Sequence, residues 1–342
     1  MDLSGVATHV AERVDLPDAL LRAGIARFVA RSAATLTPRE GQDVGFAAWM
    51  ATKPIALHTD SANAQHYELP PAFFETVLGP RRKYSSCLYE TGRETLAQAE
   101  VAALVATGDF AALADGQDIL ELGCGWGSLT LFMAERFPAA RITAVSNAHA
   151  QRGFIEAQAA ARGLANVRVV TADMNDFDPG GQKFDRVVSV EMFEHMTNWR
   201  ALLGRVRAWL APDGRVFLHV FSHTGTPYRF DHEHGADWIA RHFFTGGIMP
   251  SHTLIHRFAD ILEVEAARRW SGTHYERTAL HWLANYDANR AAIDTLLRGT
   301  YGAEAALWRR RWRLFFLAVA GLFGHAQGSV WGVSQYRLRP PG

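Results

Sequence analysis

Residues 118–127, Asp-Ile-Leu-Glu-Leu-Gly-Cys-Gly-Trp-Gly, constrain the fold more than any other stretch. An apolar strand ends there in glycines at Gly123, Gly125 and Gly127, and a helical segment follows at once. Glycine lacks a Cβ, so backbone N–H groups can come close to a bound ligand, and the positive end of the next helix points into the same crevice. This order of elements marks a nucleotide-cradling turn, although tight packing alone also explains such a turn. Dinucleotide sites use similar glycines, but a pyrophosphate usually takes G-x-G-x-x-G, and the spacing here is G-x-G-x-G. Glu121, just ahead of the glycines, suits a cationic, phosphate-free ligand such as S-adenosylmethionine.

Strand candidates DILELG, RITAVS, VRVVTA, DRVVSV and GRVFLHVF alternate with helical segments between about Tyr84 and Phe221. The alternation predicts an α/β fold, a doubly wound Rossmann-like sheet that is parallel through these strands. Residues 1–80 read as an N-terminal helical cap. LPDALLRAGIARFVARSAATL places apolar residues at three- and four-residue spacing, and Phe73, Phe74 and Val77 repeat the pattern. Residues 81–225 are the expected cofactor-binding core. Residues 226–342 are expected to bind the acceptor: a His-rich loop from about Ser222 leads through two long helices to a final strand, Val330–Arg337, that rejoins the sheet.

The chain has 342 residues, 48% of them hydrophobic, which gives room for roughly two domain-sized units and a large core. Its formal net charge is zero, so no general attraction to nucleic acid or anionic lipid follows, and a small-molecule partner fits better. Only Cys87 and Cys124 are present, too few for a disulfide framework or a multi-cysteine metal site. No metal is expected, and the expected location is the reduced cytoplasm. The N-terminus carries Asp2 and Glu12 and no continuous apolar core, so it reads as neither signal peptide nor anchor. The run Leu314–Phe323 is about half a bilayer span and follows Arg309, Arg310, Arg311 and Arg313. A buried helix explains it. A helix resting on lipid headgroups explains it too, which leaves peripheral membrane contact open.

In an open sheet of this kind ligands lie beyond the carboxyl ends of the strands. After the second strand, Asn147 and Gln151 are placed to hydrogen-bond ribose hydroxyls where an acid is usual, while Ser146 or Asn147 equally suits a helix N-cap. After the third, Asp173 and Met174 are placed to take an adenine amino group and cover the ring; a turn aspartate explains Asp173 as well. The fourth strand leads into Glu191-Met-Phe-Glu-His-Met196, two carboxylates and an imidazole within six residues. Acids in a helix's first turn can be mere dipole partners. Here His195 adds a group that titrates near neutrality, and His219 follows the fifth strand on the same side.

The stretches His66–Tyr89 (HYELPPAFFETVLGPRRKYSSCLY), ILELGCGWGSLTL, ITAVSN, VEMFEHM, Asp237–Ser251 (DWIARHFFTGGIMPS) and SGTHYERT resemble one family. It comprises S-adenosylmethionine-dependent enzymes that include cyclopropane fatty acid synthases and coclaurine-type N-methyltransferases. The resemblance covers nearly all of the chain after about residue 50. It implies a class I methyltransferase sheet and cofactor contacts from Tyr84, Ser85, Gly123, Gly125, Asn147, Gln151 and Asp173, with Cys124 of the glycine turn beside them. It also implies chemistry at Glu191, Glu194 and His195. The synthases bind a bicarbonate, and Glu194, His219 and Tyr275 match members of that shell. Ser86, however, stands where they carry cysteine, and Phe221 where they carry isoleucine. Glu191 stands where they usually show glycine, as it does in the alkaloid N-methyltransferases.

The two branches need different chemistry. An alkyl amine of pKa about 10 is roughly a thousandfold protonated at pH 7, so presenting its lone pair costs about 4 kcal/mol, and nearby bases can share that task. An alkene has no proton to lose first, but the carbocation that follows needs a base. The expected activity is therefore N-methylation of a small, aromatic amine by direct displacement with assistance from Glu191, Glu194 and His195. Trp238, Phe243, Phe244, Trp282 and Trp331 are candidates for an apolar pocket, or for plain core. The alternatives are methyl or methylene transfer to unsaturated fatty-acyl chains of phospholipid, and a cofactor-binding scaffold without turnover.

Overall fold

The computed structural model describes residues 3–57, 69–230 and 237–342. His66–Glu68 at the head of one quoted stretch, and residues 231–236 of the His-rich loop, lie outside them. The strands are β1 (Asp118–Leu122), β2 (Arg141–Ser146), β3 (Val167–Thr171), β4 (Phe184–Val190), β5 (Leu210–His223), the short ribbon β6 (Tyr228–Arg229) and β7 (Ile248–Met249), then β8 (Glu263–Ser271) and β9 (Trp331–Arg339). Seven of them form one sheet in the order β3-β2-β1-β4-β5-β9-β8. Strands β1 to β5 pair in parallel, as their near-continuous apolar runs imply for strands covered on both faces. The last two strands pair antiparallel. Strand order reverses between β1 and β4, so the turns after these two strands face one crevice.

β8 was not among the expected strands. Its sequence, EVEAARRWS, has no apolar run because it is the sheet edge, where charge is tolerated and discourages pairing with other chains. Glu263 and Glu265 meet Arg339, Arg337 and Arg215 of the neighbouring strands. The two expected C-terminal helices are three, Gly272–Ala288, Arg290–Tyr301 and Ala305–Gly324, because the chain turns again at Asn289 and Gly302.

The N-terminal helices, Leu3–Arg13, Asp18–Thr35, Gln42–Ala51 and Pro71–Val77, build no separate core. Val29, Phe73, Phe74 and Val77 share one apolar cluster with Trp282, Trp312 and Phe316 of the C-terminal helices, and Met50 joins a second with Trp199 and Phe258. The basic helix Ala305–Gly324 sits inside this arrangement. Arg309 and Arg310 face Asp15, Arg311 meets the buried Glu12, and Arg313 bridges Asp18 and Asp287. Leu314, Phe316, Leu317, Val319 and Phe323 are buried. Its arginines are thus engaged by acids and most of its apolar side is packed inside the protein. Among the described residues no helix is long and apolar enough to cross a membrane.

Gly272 opens the helix that carries Tyr275. A Cβ there would collide with the backbone carbonyls of Phe323 and Trp331, neither of which can swing aside. Gly272→Ala is expected to lower unfolding free energy by about 1–3 kcal/mol. Urea denaturation checks this, and wild-type stability would disprove so tight a seat.

Candidate active site

The turn after β1 is shaped by three left-handed glycines, with φ of +79° at Gly123, +51° at Gly125 and +78° at Gly127. A Cβ on Gly123 would lie 2.6 Å from the Met192 side chain, so glycine there lets the post-β1 and post-β4 turns touch. Nothing fills the space over Gly125, which lines both cavities of the crevice.

One cavity is a cleft lined by Asn147, Asp173, Met174 and Met196; the other is an apolar chamber lined by Tyr84, Phe221, Phe244, Tyr275, Trp282 and Phe323. Gly123, Gly125, Gln151, Glu191 and His195 border both. Every expected cofactor contact, Ser85, Glu121 and Cys124 included, lines one or the other. Phe244 and Trp282 line the chamber as expected, whereas Trp238, Phe243 and Trp331 belong to the packed core around it. Another part of the chamber wall, with Phe315, Val319 and Leu322, comes from the apolar run that the sequence shows either as a buried helix or as one resting on lipid headgroups.

Local hydrogen bonds decide the open readings. The Ser146 hydroxyl accepts from the Ala148 N–H at 3.1 Å and contacts Gln151 Oε1, so Ser146 organises the turn. No side chain caps the helix His149–Ala161, which leaves Asn147 to the cleft. Asp173 Oδ1 accepts from the Asn175 N–H at 2.7 Å, so Asp173 is a turn aspartate that also borders the cleft. Gln151 Nε2 is buried with no partner, a donor suited to a ligand's acceptor atom. Glu121 is buried and accepts from Thr130, and burial pushes its carboxyl up to about 7. A neighbouring positive charge would favour its ionised form. An unpartnered amide, open glycine backbone and an acid that awaits a positive neighbour together fit a sulfonium nucleotide.

The acidic motif is not a helix start. β4 runs into Glu191, whose φ is +50°, then into a single turn Phe193–His195, and the next helix begins at Trp199. A left-handed non-glycine residue costs roughly 1–2 kcal/mol and requires compensation here. The compensation is on the carboxylate. The Ser86 N–H donates to Oε1 at 2.9 Å, His219 Nε2 lies 3.2 Å from Oε1, and the Tyr275 hydroxyl donates to Oε2 at 2.6 Å. The Glu191 N–H donates to the His219 carbonyl. Burial alone would raise the Glu191 pKa, but the hydrogen bond from His219, the charge of buried Lys83 and the bond from Tyr275 outweigh it and hold the group ionised. His219, fully buried, has its pKa lowered to about 4 and stays neutral.

Glu194 behaves oppositely. It is fully buried, and both burial and the Glu191 charge push its pKa well up, so it is a neutral acid. Its Oε1 accepts from the Phe221 N–H at 2.6 Å, and it borders neither cavity. His195 borders both and packs against Phe244, ring centroids 4.3 Å apart. Lys83, overlooked in the sequence, lines the chamber wall and donates to Ser85 and to the Ser86 carbonyl. In the sequence it is the third of three consecutive basic residues, Arg81-Arg82-Lys83, and nothing there sets it apart. Among the described residues no group of three or more His, Cys, Asp or Glu could hold a metal ion.

A family profile described as mycolic acid cyclopropane synthetase matches residues 57–331. The chain belongs to that family. Like other members of this synthetase family it is an S-adenosylmethionine-dependent methyltransferase. It is 34% identical over 287 residues to the (S)-coclaurine N-methyltransferase of Thalictrum flavum subsp. glaucum, covering 82% of this chain and 79% of that protein. It is 28% identical over 271 residues to the cyclopropane-fatty-acyl-phospholipid synthase of Escherichia coli strain K12, covering 79% of this chain and 66% of that one. The crystal structure of a coclaurine N-methyltransferase bound to N-methylheliamine and SAH superposes with a TM-score of 0.93 at 30% identity, over 98% of this chain and 99% of that one.

His219 generates a pH dependence of stability. Its pKa is about 4 in the fold and about 6.5 in the unfolded chain, so between these values the unfolded state takes up a proton that the fold refuses. Its contribution is complete above pH 6.5 and is lost as the pH falls towards 4, at up to about 1.4 kcal/mol per pH unit. His219→Gln is expected to flatten that part of a pH series of denaturation curves, with His223 and His242 unchanged in both proteins.

Proposed function

We propose that this enzyme methylates the nitrogen of a small, lipophilic, aromatic amine. The observation that carries the reading is the Glu191 carboxylate: ionised, held by three donors and facing an apolar chamber beside the glycine rim. Bound S-adenosylmethionine supplies an electrophilic sulfonium methyl. Gln151, Asn147, Asp173 and the backbone at Gly123 and Gly125 would hold it, with Met174 against the ring. The residues of this chain do the rest. Glu191 draws the acceptor's ammonium into the chamber and fixes its nitrogen. His195, open to the same space, receives the proton that the nitrogen must lose, and the aromatic walls replace its water. Positioning of this kind can lower a barrier by several kcal/mol. Glu194, neutral and sealed from the chamber, supports the turn through Phe221 rather than touching the acceptor.

The same observation weighs against alkene chemistry. Ser86, His219 and Tyr275, the donors that would cradle a separate anion, are spent on Glu191. The relatives on both branches keep two acceptor classes in view, and a direct assay separates them. Labelled cofactor is offered with a panel of apolar secondary and tertiary amines, or with phospholipid vesicles rich in unsaturated chains. Label in an amine product is expected; label in lipid with none in any amine would overturn the proposal, and tight cofactor binding without turnover on either would leave a scaffold.

Glu191→Gly relieves the left-handed backbone and removes only the carboxylate. Amine turnover is expected to fall by about 100-fold or more, by the scale of lost acid–base and positioning effects, while cofactor affinity by calorimetry stays near wild type. Undiminished turnover would remove Glu191 from the chemistry.

A further inference from the structure

We propose that Gln335, on β9, is a positioning residue that fixes which nitrogen of His219 carries the proton and thereby keeps the Glu191 carboxylate supplied with its donor. In the sheet register His219 on β5 lies opposite Gln335, and Gln335 lies opposite Arg268 on β8. Three adjacent strands thus set these side chains in one row. His219 and Gln335 are fully buried.

The hydrogen bonds along the row run in only one sense. Arg268 Nε donates to Gln335 Oε1, and a guanidinium has no acceptor, so the amide oxygen must face Arg268. The amide nitrogen is thereby turned to His219 Nδ1, 2.9 Å away. An amide NH₂ can only donate, so Nδ1 accepts and the proton of the neutral ring sits on Nε2, the atom nearest Glu191 Oε1. The opposite tautomer would set a bare lone pair against the carboxylate. Arg268 is itself held, by the Ala106 carbonyl at 2.8 Å and by the face of Phe110, 4.3 Å from its guanidinium carbon. The charged groups that face His219 are Glu191 from the post-β4 turn, Lys83 from the loop before Ser85, and Arg268 from β8; the ring of Trp270 packs edge-on.

The test uses the full chain labelled with nitrogen-15 histidine, with His219→Gln to assign the resonances. At pH 7 the wild type is expected to show His219 neutral, with Nε2 protonated and Nδ1 bare. Gln335→Glu sets an acceptor against Nδ1, and His219 is expected to become doubly protonated at pH 7. Arg268→Met frees the amide to turn over and is expected to yield a mixture of tautomers. A wild-type spectrum with Nδ1 protonated, or a Gln335→Glu spectrum unchanged from wild type, would overturn the proposal. If Gln335→Glu does not fold, the wild-type spectrum and Arg268→Met decide it. A kinetic arm rests on the proposed role of Glu191. An imidazolium beside Glu191 cancels its charge, so KM for the amine should rise by about tenfold or more with cofactor affinity unchanged. Altered His219 protonation with an unaltered KM would refute that role of Glu191 and leave Gln335's intact.

Discussion

A buried carboxylate stays ionised only if enough donors and positive charge converge on it, and the site is built around that requirement. Glu191 stands at the switch point of the sheet on a backbone that favours glycine, and its three donors come from a loop, a strand and a helix. Removing a donor leaves a charge in apolar surroundings, which costs several kcal/mol. The chain therefore holds Ser86, His219 and Tyr275 in place as firmly as its core does. The reward is a fixed anion at the floor of an otherwise apolar chamber.

Two acids three residues apart end in opposite states for the same reason. Glu191 gathers side-chain donors and is charged; Glu194 has only backbone N–H donors and a like charge close by, and is neutral. Pairs of carboxyls pushed apart in this way commonly divide the roles of charge and scaffold. In a sequence the two look equivalent.

Much of the fold was legible because β1 to β5 read as apolar runs between helices, most of them covered on both faces. β8 was hidden by its place at the sheet edge, where ion pairs rather than apolar contacts hold it. The arginines before Leu314 read as a candidate lipid-facing patch because their acids, Glu12, Asp15 and Asp18, lie some 300 residues earlier in the chain. The glycine turn and the Glu191–His195 cluster could be located from spacing alone. That one acid is ionised and the other neutral could not, since the difference depends on Ser86, Tyr275 and Phe221. Gln335 was invisible as well, for a glutamine in a strand pattern looks like any polar residue on an outer face.

The cross-strand row has a consequence for how the molecule is made. His219 meets Gln335 across 116 residues of chain, and Ser86 meets Glu191 across 105. Closing such long loops adds little to the final entropy cost, but it delays contact formation during folding. Until β9 and the helix that carries Tyr275 dock, β5 presents a bare edge and Glu191 lacks the donor to its second oxygen. Chemical competence is thus among the last properties acquired, and the waiting period is also when the exposed strand can be captured by a neighbouring nascent chain.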